Sequence, residues 1–515
     1  MGNSRKASPL VRGSATLAAC ALALAALGSA TSARAATRSV SNRNDSGSGS
    51  LRQAIADAAA GDTITFSVTG TITLTSGALT VNKDLNIQGP GPNKLQISGN
   101  HASRVFLIQS GTVTLAGMTI TNGRADLNSP IVFSIGGGVL NYGSLTLSND
   151  VVSDNEALGD ASASPFGTPG FGAGGGVLSF ALLNVTACQF TGNLARGGDR
   201  SHGEGVGGAV GIFGTATITD SQFIRNVAQG GSGGSVPEAG SGLGGAIGNA
   251  GALTVTSSTF IENQAVAGND NPATWGRGLG GAIYTGGVGQ PGVMLIAKDS
   301  RFEHNQAIGG NNGNLAGVAG GWAAGGAILA IKGPGTISNC TLDHNEALGG
   351  AGGLGANGGV VLGGAMSVAN DFGLGSNVTV SHTTVEHNVA RGGRGGPGSN
   401  GGEARGGGLL SGDAATLTVS GTTVAHNQAQ GGEGGSGGNG GNGLGGGLYD
   451  DATSTLTLLG ATVSYNFALG GEARAHGSDG QGIGGGVYRL GTFSFDSTTV
   501  IEKNHASTSN DNLAP

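Results

Sequence analysis

Charge is scarce in this chain: only 11% of its 515 residues are Asp, Glu, Lys or Arg, and the formal net charge is −7. A nucleic-acid partner needs a basic face to neutralise phosphates, and none is supplied, so that class is excluded. Aromatics are equally sparse at 4%, and there are 12 prolines. Three ordinary globular cores would need more large side chains, so the length is better explained by repetition. After the first 35 residues there is no apolar run of the ~18 residues that cross a bilayer as a helix, and no transmembrane segment is expected. What the chain has in excess is glycine, 108 of them.

Residues 1–35 read as a secretory signal. Arg5, Lys6 and Arg12 form a basic start, Ala15 to Leu27 an apolar run, and Ala33-Arg34-Ala35 a small-x-small cleavage site, so the mature chain is expected to begin near Ala36. A competing reading takes Leu17-Ala18-Ala19-Cys20 as a lipobox that makes Cys20 a lipid anchor. Two cysteines then remain, Cys188 and Cys340, each five residues before a repeat asparagine and four repeats apart. At ~4.8 Å per repeat they are too far apart for a disulfide, and each is expected as a small buried residue.

The repeat is marked by Asn155, Asn193, Asn226, Asn263, Asn305, Asn345, Asn388, Asn427, Asn466 and Asn504, with Asn100 and Asn122 ahead of them. The step from Asn100 to Asn122 is 22 residues, and later steps run from 33 to 43, so a basic coil gains an insertion of variable length. Alanine stands two residues after each of the ten, from Ala157 to Ala506. An apolar residue stands three before, as in Phe223, Phe260 and Phe302. Pairs such as Leu253/Val255 and Leu417/Val419 alternate further upstream, which is strand periodicity.

Stacking equivalent strands from successive coils predicts an all-β, right-handed parallel β-helix with three strands per coil and about a dozen coils. Residues 36–66 form an N-terminal cap in this reading, with a short helix over 48–60 and a strand over 63–66, and 67–515 form the β-helix with glycine-rich insertions. Asparagine suits the bend because it tolerates positive φ, and stacked copies can share amide hydrogen bonds. The alanine implies a close approach to the core. The polar segment 507–515 offers no comparable C-terminal cap.

Gly207-Gly208-Ala209-Val210 with Phe223 to Asn226, Gly244 to Ile247 with Phe260 to Asn263, and Gly280 to Ile283 with Phe302 to Asn305 resemble the repeat signature of the chlamydial polymorphic outer-membrane proteins. Gly49-Ser50-Leu51-Arg52-Gln53-Ala54-Ile55 is similar to the opening of bacterial β-helix surface proteins of the pectin-lyase-like superfamily. The resemblance implies an adhesin-like scaffold, secreted or at the cell surface, with a glycan or protein ligand and no cofactor. The chlamydial proteins end in a membrane β-barrel, and no run of alternating ~10-residue strands is left here to form one.

Four coils carry histidine just before the marker, His304, His344, His387 and His426, three of them after an acid. Imidazoles ~4.8 Å apart are candidates to share a metal, or to repel when protonated; they are equally ordinary solvated turn residues. Thr146, Thr217, Thr254, Thr336, Thr379, Thr418 and Thr457 form a solvent-facing column that could match an ice lattice or be plain strand surface. The insertions, such as residues 309–321 and 431–443, are the expected ligand contacts, the alternative being flexible or loosely stacked glycine strands. No catalytic residue stands out: Asp371, Asp450 and Asp451 lack evident partners, and His202 and His476 lie in glycine loops. A polysaccharide lyase or hydrolase on the same fold remains the alternative function.

Overall fold

The structure, a computed structural model, describes residues 35–125, 134–160, 170–200, 203–233, 240–271, 276–287, 292–370 and 375–515. The signal segment, His202 and Asp371 lie outside these residues. One coil shows the plan: strands Gly242–Leu243, Ile247–Asn249, Ala252–Thr256, Thr259–Ile261 and Gln264–Val266. Each pairs in parallel with its equivalents in the coils before and after. Stacking gives five parallel sheets, numbered I to V in coil order, with 9, 13, 14, 13 and 11 strands among the described residues. The chain is a right-handed parallel β-helix. No helix among the described residues is long and apolar enough to cross a membrane.

Alternation decides what is inside. In sheet III, Leu253 and Val255 are buried and Thr254 and Thr256 face outward. In sheet IV the register stacks Phe190, Phe223, Phe260 and Phe302, with ring centroids 4.8, 4.7 and 4.7 Å apart. These columns form one continuous apolar core along sheets II, III and IV.

The expected three strands per coil are sheets II, III and IV; sheets I and V are additional. They approach each other so closely that small side chains, alanine and glycine with one valine, fill the space between them. The repeat alanines, Ala307, Ala347, Ala390 and Ala429, form a second, narrow core there with Ala323, Val361 and Ala404. A Cβ on Gly242 of sheet I would lie 2.4 Å from the carbonyl oxygens of both Ala228 and Val266. The invariant alanine is therefore explained by a backbone approach across a second lobe.

The ten asparagines are buried at the bend between sheets IV and V. Their amides form a ladder: Asn226 Nδ2 donates to Asn263 Oδ1, Asn263 to Asn305 and Asn305 to Asn345, each at 2.9 Å. The expectation that asparagine itself carries positive φ holds for Asn100 (56°) and Asn122 and is corrected for the ten ladder asparagines. There that conformation belongs to the residue before each, as in Arg225 (52°), Glu262 (55°) and His304 (53°). Facing inward in ordinary backbone lets the amide reach its stacked neighbour, and the preceding residue takes the turn. Asn122 (φ 51°) is in register with Asp154, so the ladder position of its coil is held by Gly123, whose N–H donates to Asn155 Oδ1 at 2.8 Å.

A second ladder runs along the bend between sheets III and IV. Cys188 N–H donates to Ser221 Oγ (3.2 Å), Ser221 to Ser258 and Ser258 to Ser300 (3.1 Å each), and Cys340 to Thr383 Oγ1 (3.2 Å). Both cysteines are free and buried, as expected. Burial pushes the Cys188 thiol up to about 12 and that of Cys340 to about 11.

At the N-terminal end, strand Thr37–Val40 pairs with Asp62–Phe66, and helix Leu51–Asp57 lies over the first coil with Leu51 and Ile55 buried. Ser50 caps it by accepting the Gln53 N–H at 3.2 Å. The C-terminal end is covered only in part: the last strands of sheets III and IV remain open, with Phe495 and Val500 exposed, and the cover lies over sheet II and the end of the amide ladder. Leu513–Ala514 adds a strand to sheet II. Asn512 Oδ1 terminates the amide ladder, accepting the Asn504 backbone N–H (3.2 Å) and side-chain amide (3.1 Å). A polar segment makes a good lid here because the ladder end needs acceptors more than apolar cover.

Candidate functional site

Because each ladder asparagine points inward, the residue before it points out, and these residues form an exposed column along the bend between sheets IV and V. His304, His344, His387, His426 and Tyr465 stack in it, with ring centroids 5.1, 4.8, 5.2 and 5.2 Å apart. Lys503 Nζ lies 5.5 Å from the Tyr465 ring. Only one of the three acids joins the histidines. Asp343 Oδ1 lies 2.8 Å from His344 Nδ1 and 3.1 Å from His387 Nδ1, while Glu303 turns to Arg301. His304 and His426 flank the cluster by stacking.

Sheets I and II meet at a concave angle, and their outward columns line a groove that the sequence did not reveal. At its N-terminal end Tyr142, Phe180 and Phe213 stack at 5.1 and 5.2 Å. Toward the C-terminal end it deepens to a recess of about 180 Å³ lined by Trp322, Leu362, Arg405, Tyr449, Asp413 and Asp451, with Leu410 at its floor. Four successive coils contribute, so register alone brings these side chains together.

Arg405 is the pivot of the recess. Its guanidinium lies 5.5 Å from the Tyr449 ring centroid and forks onto Glu403, with Nε and an Nη donating to Oε2 at 2.7 and 2.5 Å. Burial works against its charge, and Glu403 more than offsets this, so its pKa is raised. Burial also pushes the Tyr449 phenol up to about 12, keeping it protonated as a donor. Asp413 sits at the rim in a turn with φ 50°, and burial followed by the charge of Asp451 raises its carboxyl. Asp451 lines the same recess, close enough for its charge to act on both Asp413 and Arg405. Asp450 turns inward and is buried, accepting from Ser454 Oγ at 2.7 Å, and burial lifts its carboxyl to about 6. Ser367 Oγ, on the outward side of sheet II one coil before Leu410, is buried with no protein hydrogen-bond partner.

Among the described residues, the insertions of the later coils, expected as a recognition fringe, are packed as stacked glycine strands. In residues 392–402 Arg394, Pro397, Gly398 and Asn400 are exposed, and the glycine pairs 392–393, 395–396 and 401–402 are buried. The backbones bond alternately across one loop, Gly402 N–H to Gly393 O and Gly441 to Gly432, and from coil to coil, Gly432 to Gly402 and Gly471 to Gly441, all at 2.8 Å. A shallow trough of about 610 Å³ separates this wall from sheet V, with Arg391, Arg394 and Glu433 on its sides. His476 is exposed on the wall with φ 73°. The threonine column lies in register on the outer face of sheet III, broken by Asn184 and Ile296.

No family model and no curated protein matches the chain. Among solved structures it is similar to a mannuronic acid-specific family 6 polysaccharide lyase from the human gut microbiota, at 12% identity and a TM-score of 0.36 over 76% of this chain and 81% of that one. It is similar to tailspike protein 3 of bacteriophage CBA120, at 12% identity and 0.33 over 87% of this chain, and spans 57% of the tailspike. A third is the catalytic unit of an α-1,3-glucanase from Streptomyces thermodiastaticus, at 15% identity and 0.34 over 93% of this chain and 70% of that one. At such identities and TM-scores these likenesses carry no argument about activity. The fold stands on the coil geometry itself.

Proposed function

We propose that the protein is an exported glycan-binding β-helix whose saccharide site is the groove between sheets I and II, centred on Arg405. The observation that carries this reading is the convergence of Trp322, Tyr449, Arg405, Asp413 and Asp451 in one recess. Flat aromatic faces stack on the apolar faces of sugar rings, and a planar guanidinium with carboxylates reads hydroxyl or uronate groups. At about 180 Å³ the recess is smaller than a pocket that encloses a whole small molecule. It fits one unit of a chain whose neighbours lie along the open groove. The contacts thus move from the glycine loops to the groove, because the loops are tied into the wall. Affinity electrophoresis against neutral and uronate polysaccharides tests this. Retardation by at least one polysaccharide, lost in Trp322→Ala, supports the proposal; no retardation by any sinks it.

A second reading, cleavage of the bound polysaccharide, is favoured by the raised carboxyl of Asp413 beside Asp451. Two carboxyls side by side at the rim of one recess can divide the roles of general acid and general base. Release of new reducing or unsaturated ends, abolished in both Asp413→Asn and Asp451→Asn, would establish it. Binding with no release under any condition leaves the protein a pure binder.

A further inference from the structure

The histidine column lies at the bend between sheets IV and V, outside the groove, and the proposed saccharide site does not use it. We infer that Asp343, His344 and His387 form a binding site for one divalent transition-metal ion of the zinc or nickel class.

Asp343, His344 and His387 each offer one ligand atom, and the three atoms lie within 4.8 Å of one another. A tetrahedral ion with bonds of about 2.0–2.1 Å holds its ligand atoms ~3.3 Å apart. Two edges of that polyhedron are already present at 2.8 and 3.1 Å. Side-chain rotation that brings the third edge in from within 4.8 Å admits the ion, which replaces the protons now shared between the carboxylate and the rings.

The backbone holds this arrangement. His344 and His387 take left-handed φ of 53° and 54°, and each is followed by a ladder asparagine, with Asn345 Nδ2 donating to Asn388 Oδ1 at 2.9 Å. The flanking rings of His304 and His426 restrict rotation from either side. Little conformational entropy remains to be lost on binding. Two imidazole nitrogens and one carboxylate oxygen suit zinc, nickel or copper and discriminate against magnesium and calcium, which take oxygen ligands. Both histidines are about half exposed, so the fourth position opens to solvent and accepts water or a donor from a bound partner.

Isothermal titration of the purified protein with zinc chloride, in a buffer that does not bind metal, tests the site, with the visible spectrum of added cobalt(II) as a second readout. One equivalent should bind, and cobalt should develop the intense bands of a tetrahedral centre. Asparagine keeps the left-handed turn, so His344→Asn and His387→Asn should fold, as circular dichroism will show, and each should weaken zinc by about tenfold or more. His476→Asn should leave binding unchanged. Absence of zinc heat and cobalt bands at millimolar metal overturns the proposal, as does binding that survives both substitutions or calcium binding as tight as zinc.

Discussion

The side-chain oxygen of Asn305 accepts two hydrogen bonds from Asn263, one from its backbone N–H at 3.1 Å and one from its amide at 2.9 Å. In turn Asn305 Nδ2 donates to Phe260 O at 3.0 Å and to Asn345 Oδ1 at 2.9 Å. One side chain thus satisfies four buried polar groups in the two flanking coils, which no apolar residue of any shape can replace.

Asn305→Ala should therefore be far more damaging than its small loss of volume suggests. Two buried donors lose their acceptor, at about 1–3 kcal/mol each, giving a loss of about 3 kcal/mol or more. Asn305→Asp restores the acceptor and sets a carboxylate against Asn345 Oδ1, so it should be no better near neutral pH. Guanidinium unfolding followed by circular dichroism measures both. A midpoint for the alanine variant equal to that of the parent would show that the ladder is incidental.

The glycine wall makes a sharper distinction. A Cβ on Gly402 would lie 2.0 Å from Gly359 O, a backbone atom that cannot swing aside, while Gly313 has nothing within 4 Å of its Cβ position. Gly402→Ala should separate the loops of adjacent coils and lower the melting temperature by several degrees, and Gly313→Ala should leave it unchanged. Equal melting of the two variants would mean that the wall is looser than its 2.8 Å hydrogen bonds describe.

Phe260, Asn263 and Ala265 show why the main fold was readable: a fixed spacing repeated in every coil reports stacking directly. The left-handed residue was assigned to Asn263 instead of Glu262 because asparagine is the commoner choice there, and only the ladder, a contact between coils, reverses it. Sheets I and V went unseen since strands as short as Gly242–Leu243 show no alternation. Residues 392–397, Gly-Gly-Arg-Gly-Gly-Pro, do carry a period of three that points to the packed wall, a period belonging to neither helix nor strand. The groove had no such signal. Trp322, Arg405 and Tyr449 come from different coils whose insertions differ in length, and only register makes them neighbours.

Asp150 predicts a pH dependence of stability. It occupies the start of the hydroxyl ladder, buried, accepting the N–H groups of Met118 (2.9 Å) and Ser148 (3.1 Å). Burial raises its carboxyl from 3.8 to about 7 despite those bonds. The folded state then holds a proton that the unfolded chain releases, so this contribution is fully present below pH ~4 and is lost as pH rises through about 7. Asp150→Ser, the residue that Ser221 and Ser258 supply in later coils, should flatten the fall in melting temperature between pH 5 and 8. A parent and variant with parallel profiles over that range would contradict the burial of this charge.

Arg405 separates recognition by shape from recognition by charge. If the recess only needed a positive charge near Asp413 and Asp451, Arg405→Lys would keep polysaccharide binding. The guanidinium, however, is held by a fork onto Glu403 and lies against the Tyr449 ring, a geometry that an ammonium on a flexible stem does not reproduce. Arg405→Lys should therefore weaken binding in affinity electrophoresis by about tenfold, the equivalent of about 1.4 kcal/mol. Arg405→Ala should weaken it further, because Glu403 is then left half buried without its cation. A lysine variant with undiminished binding would place the ligand outside the recess, and the trough beside Arg391 and Arg394 would become the surface to mutate next.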